Sequence, residues 1–155
     1  MTRRQRYGVF GHSAGSQFVH RKLSLGLRPK MQAAVAANAG TYAMPNLLDA
    51  WPYGLADTPL DAAGLEGMLG FRLTVMAGTA DIDASSLNFP KEPVVMLQGG
   101  TRYARAHSYI AAAHAEAQAR GIRCGWTIVD VEGVGHDGAR MSKAAAPILS
   151  VALHA

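Results

Sequence analysis

The sequence predicts an α/β domain, a mostly parallel sheet of about four strands with helices on both faces. Two observations point there. Short strand-like stretches at Tyr7 to Gly11, Gln32 to Asn38, Arg72 to Ala77 and Gly125 to Val131 alternate with helix-compatible segments, the pattern of strands joined by helical crossovers. The first stretch runs into Gly11-His12-Ser13-Ala14-Gly15, a G-x-S-x-G turn set between a strand and a helix. With 155 residues the chain has the size of one domain, long enough for a real core.

The elements follow in order. The first helix, from about Ala14 to Leu25, turns Phe18 and Val19 inward and ends at Gly26, a natural C-terminal cap. The small-residue run from Gln32 to Asn38 suggests a second strand packed tightly between helices. Residues 41–70 break the rhythm with Pro45, Pro52 and Pro59, yet carry Tyr42, Met44, Leu47, Trp51 and Leu55. A cap- or lid-like insertion fits, closed by a short helix near Asp61 to Leu69; the alternative is a segment that covers the edge of the core.

A third strand follows at Arg72 to Ala77, and the loop leaving it is Gly78-Thr79-Ala80-Asp81-Ile82-Asp83. Ala84 to Gly100 reads as irregular. Thr101 to Arg120 is an alanine-rich helix, with Tyr103, Ala106, Ile110, Ala113 and Ala117 at helical spacing. The fourth strand, Gly125 to Val131, precedes Gly133-Val134-Gly135-His136-Asp137-Gly138. A closing helix from Ala139 to His154 buries Met141, Ile148 and Leu149, and Pro147 must kink it or begin a second piece.

Composition narrows the function classes. Hydrophobic residues are 49% and charged ones 17%, which is globular rather than disordered. No apolar run reaches the roughly 20 residues of a membrane span, and Met1 to Arg6 does not lead into a signal-peptide core. A cytoplasmic location is expected. The single cysteine, Cys124, excludes an internal disulfide. The net charge of +4 gathers around the first strand and helix without interleaved aromatic residues, so a solvated basic face is expected and no nucleic-acid partner. His107 and His114 lie two helical turns apart, a spacing that suits packing or solvent better than metal. Neither metal nor cofactor is expected.

A serine hydroxyl is a weak nucleophile unless a base takes its proton, and that base needs a carboxylate to fix its tautomer. Ser13 follows the first strand, Asp81 the third and His136 the fourth. In a parallel sheet these loops leave at one rim, the carboxyl ends of the strands. Asp83 shares the acid loop and is the alternative to Asp81.

The order Ser, Asp, His resembles that of the α/β-hydrolase superfamily, with the likeness carried by Gly11 to Gly15, Gly78 to Asp81 and Gly133 to His136. It covers the C-terminal half of that fold, from the elbow strand to the final helix, and makes the chain a partial α/β-hydrolase fold. The resemblance implies a serine esterase with Ser13 as nucleophile, His136 as general base and acid, Asp81 as orienting acid and the Ala14 N–H as an oxyanion donor. A small-molecule ester is the expected substrate, in a pocket shaped by His12, Tyr42 and Trp51.

In that fold a loop after an earlier strand gives the second oxyanion donor. With six residues before the first strand, this chain is expected to lack it, and one missing donor costs about 3 kcal/mol. A truncated or degenerate hydrolase with a structural or partner-binding role is therefore the alternative. The family's strand order also predicts that Arg6 to Gly11 forms a bare sheet edge suited to a homodimer, opposed by the charges of Arg3, Arg4 and Arg6.

Overall fold

Four parallel strands lie side by side in chain order in the computed structural model, which describes residues 6–28 and 30–154. They are β1 (Tyr7–His12), β2 (Met31–Ala37), β3 (Leu73–Gly78) and β4 (Trp126–Val131). Crossovers carry α1 (Ala14–Ser24), α2 (Ala62–Leu69), α3 (Pro93–Met96) and α4 (Arg102–Ala119), and α5 (Gly138–His154) closes the chain. Arg3 and Arg4 lie outside the described residues.

The two inner strands are covered on both faces, which explains their nearly unbroken apolar sequences. Along β2 the side chains alternate. Ala34 and Ala36 join the larger core with residues of α1, α2 and α4, while Val35 and Ala37 join Met76, Met141 and Ala145 on the α5 side. Alanine at these positions leaves room for helices to approach closely on either face. β3 is buried throughout, whereas β1 is mostly half-exposed because it pairs with β2 alone among the described residues.

Helix boundaries follow local chemistry. Asp61 caps α2 by accepting from the Gly64 N–H at 2.8 Å, and Thr101 caps α4 by accepting from the Ala104 N–H at 3.1 Å. Two expectations need correction, and one of the two alternatives for Pro147 is excluded. Phe18 does not point inward: it is 64% exposed, and the buried stripe of α1 is Ser16, Val19, His20, Leu23 and Ser24. The stretch from Ala84 to Gly100 contains the one-turn helix α3. Pro147 lies inside a single helix, α5, and starts no second piece.

Residues 41–70 contribute to the domain body. Tyr42, Ala43, Leu55, Leu65, Met68 and Leu69 are fully buried in the larger core, while Leu48 is 90% exposed. Arg105, also fully buried, ties the loops before α4 together. Its guanidinium donates to the carbonyls of Gly40, Pro90 and Gly99 and lies over the Phe89 ring.

Candidate active site

The turn after β1 places Ser13 at φ 56°, ψ −116°, a left-handed backbone that costs a non-glycine residue energy. Its N–H donates to the Ala37 carbonyl at 3.0 Å, fixing the turn to the end of β2. A side chain on Gly11 would overlap the Gly15 carbonyl, so glycine there is a steric requirement. At Gly15, by contrast, a Cβ would meet open space. The close approach of strand and helix constrains one glycine of the pair.

Asp81 is 2% exposed in the loop after β3, and His136 stands in the loop after β4. Backbone bonds zip these loops together: Thr79 N–H to the Val131 carbonyl at 3.1 Å, and Ala80 N–H to the Val134 carbonyl at 3.0 Å. Gly133 N–H donates to Thr79 Oγ1 at 2.9 Å. The same close approach leaves no room for a side chain on Gly78, which would overlap the Val134 carbonyl.

The three side chains form a continuous chain of hydrogen bonds. His136 Nδ1 lies 2.8 Å from Asp81 Oδ2, and His136 Nε2 lies 2.9 Å from Ser13 Oγ. With Nδ1–H donating to the carboxylate, Nε2 is left to accept the serine proton. Asp81 Oδ1 faces Arg102 Nη1 at 3.6 Å, with both side chains nearly buried. Asp83 does not join the chain: its exposed carboxylate accepts from the N–H and Oγ–H of Ser85, at 2.8 and 2.6 Å, bonds that lower its pKa.

His12 packs against this array, its ring centroid 4.6 Å from that of His136. Burial first, and then the charge on His136, push the pKa of His12 below its ordinary value. Ala14 is the first residue of α1, where a backbone N–H has no carbonyl of its own helix to bond. An open groove lined by Ala14, Gln17, Phe18, Arg21, Leu25 and Leu27 runs from that point along α1.

Tyr42 is not a wall of the site. It is fully buried, stacked on Tyr109 with centroids 4.4 Å apart, because it is the aromatic filling between α1, α4 and the sheet. Trp51 is half-exposed, with the Arg21 guanidinium 5.8 Å from its ring. His107 bonds to Asp130 and His114 to the Trp126 carbonyl, so both fasten α4 to β4. No group of three or more His, Cys, Asp or Glu side chains suited to a metal converges among the described residues. Nor is any described helix long and apolar enough to cross a membrane.

Two contributors to this geometry were not singled out from sequence. Arg102 meets the acid from the first turn of α4, and its position just after the helix cap at Thr101 was the available signal. Asn38, at the end of β2, bridges the two zipped loops with its side chain. Its place before Gly40 at a strand end was the only hint.

Solved structures place this architecture. The chain superposes on poly(aspartic acid) hydrolase-1 from Sphingomonas sp. KT-1 with a TM-score of 0.91 and 39% identity, over 94% of this chain and 55% of that one. It matches the poly(3-hydroxybutyrate) depolymerase LpqC from Bordetella parapertussis with a TM-score of 0.87 and 40% identity, over 91% of this chain and 48% of that one. The chain has a partial α/β-hydrolase fold. It spans about half the length of these α/β-hydrolase relatives. No protein-family model matches it, and a search of curated proteins finds no match.

Proposed function

We propose that the chain is a serine hydrolase acting on carboxylic esters through an acyl-enzyme. Ser13 Oγ attacks the carbonyl carbon as its proton passes to His136 Nε2, and Asp81 stabilises the imidazolium that forms. The carbonyl oxygen takes up the negative charge and is met by the Ala14 N–H. Collapse expels the alcohol, which receives the proton from His136. Water, activated by the same imidazole, then releases the acid and restores Ser13.

The observation that carries this reading is the relay from Ser13 Oγ through His136 to Asp81 Oδ2, with separations of 2.9 and 2.8 Å. Ester chemistry is supported by the likeness to a depolymerase of poly(3-hydroxybutyrate), a polyester. His12 shapes the site beside His136, and Trp51 offers an exposed wall for the acyl portion. A stopped-flow burst of p-nitrophenol from p-nitrophenyl acetate, stoichiometric with enzyme and absent in Ser13→Ala, tests the reading. Equal release by both proteins overturns it.

A second reading, partner binding with little activity from the chain alone, is favoured by one region. β1 pairs on one side only among the described residues, and Phe18 and Leu27 on the neighbouring surface are 64% and 54% exposed. A second copy pairing β1 to β1 across a two-fold axis would satisfy that edge. A folded chain with no burst that gains one on adding a partner would favour this reading.

A further inference from the structure

We infer that Asn38 is a positioning residue for the proposed relay, holding the acid loop and the histidine loop in register next to the serine turn. The inference rests on the serine-hydrolase reading above. Asn38 is 1% exposed and follows directly on β2, the strand that lies between the strands leading to Ser13 and to Asp81.

Polar groups of this junction reach three parts of the site. The Ala37 carbonyl, just before Asn38, accepts from the Ser13 N–H at 3.0 Å. The Asn38 N–H donates to the Met76 carbonyl at 3.1 Å, and its Oδ1 accepts from the Gly78 N–H at 2.9 Å. Its Nδ2 donates to the Gly135 carbonyl at 3.1 Å, in the peptide that enters His136. One dipeptide thus binds the serine turn, the start of the acid loop and the histidine loop.

The residue type fits the role. At φ 50° the backbone is left-handed, a region asparagine tolerates better than most residues. A buried amide offers a donor and an acceptor at once, and here both are used. Aspartate could still accept from Gly78 N–H but would set an oxygen against the Gly135 carbonyl. Glycine would keep the backbone and remove both side-chain bonds. The asparagine amide is therefore separable from the turn it occupies.

Misplacing a reacting group by about 1 Å can cost on the order of 100-fold in rate. Purified full chain is therefore reacted with a fluorophosphonate, and the limiting labelling rate is measured separately from the half-saturating probe concentration. Asn38→Asp and Asn38→Gly should lower the limiting rate about 10- to 100-fold while leaving the half-saturating concentration close to wild type. A wild-type limiting rate in either folded variant overturns the inference, even if its melting temperature falls. Should Asn38→Gly not fold, Asn38→Asp, which keeps the shape and the Gly78 bond, decides. Ser13→Ala serves as the separate control: if it labels as fast as wild type, the serine-hydrolase reading has failed rather than the role of Asn38.

Discussion

The rings of His12 and His136 lie 4.6 Å apart and are inclined at 44°. Two positive charges at that separation repel by about 4 kcal/mol at the effective dielectric near a protein surface, before salt screening. Burial first, and then the charge of His136, lower the pKa of His12, which favours its neutral ring. His12 should therefore add no second proton to the pH dependence of Ser13 labelling. His12→Phe, which preserves a ring beside His136, should label close to wild type. A two-proton slope, or loss of labelling in that variant, would make His12 a participant in the chemistry.

The serine turn makes unequal demands on its two glycines. A Cβ at Gly11 collides with the Gly15 carbonyl, whereas one at Gly15 meets nothing within 4 Å. Gly11→Ala should destabilise by about 3 kcal/mol. Gly15→Ala should be as stable as wild type or more so, since alanine favours the helix. Urea denaturation of both variants checks the contrast, and equal losses would contradict the turn geometry.

His20 gives stability a pH dependence. Its Nδ1–H donates to the Ser16 carbonyl at 2.9 Å and its Nε2 accepts from the Ala43 N–H at 3.1 Å, which fixes the neutral ring. Burial, and then the charge of Arg21, lower its pKa from 6.5 to about 3. Between those values the unfolded chain holds a proton that the folded chain does not. The contribution is full above pH 6.5 and is lost as pH falls toward 3, at about 1.4 kcal/mol per pH unit. His20→Gln should flatten the slope of unfolding free energy between pH 6.5 and pH 5. An unchanged slope would place a charged His20 in the folded state.

The half-exposed β1 has an unpaired side among the described residues. An apolar edge of that kind is a template for pairing. Sedimentation equilibrium at micromolar concentration should give the mass of a dimer, with β1 amides protected from hydrogen exchange. A stable monomer would contradict β1-to-β1 pairing.

The four parallel strands and the loops that carry Ser13, Asp81 and His136 were legible because each rests on a short local pattern. Ser13, Asp81 and His136 each stand just after a strand, and parallel strands bring such positions together whatever their separation in sequence. The buried face of α1 was harder to read. Its stripe includes the polar residues Ser16, His20 and Ser24: His20 and Ser24 bond to carbonyls one turn back in the helix, and His20 also accepts from the Ala43 N–H, a partner that only the fold supplies, so Phe18 drew the inward assignment instead. Tyr42 was misplaced for a related reason. An aromatic residue in a proline-rich stretch looks the same in sequence whether it lines a pocket or stacks on Tyr109 in the core. The Asn38 bond to the Gly135 carbonyl and the Arg105 bond to the Gly40 carbonyl span 97 and 65 residues of chain, and no local pattern announces such contacts.

The central claim is that Ser13 Oγ is a nucleophile activated by His136. The most direct measurement is the mass of the intact chain after reaction with a fluorophosphonate, followed by peptide mapping. The account predicts one adduct per chain, located on Ser13 and absent in both Ser13→Ala and His136→Ala. An adduct on another residue, or one that persists in Ser13→Ala, would contradict it.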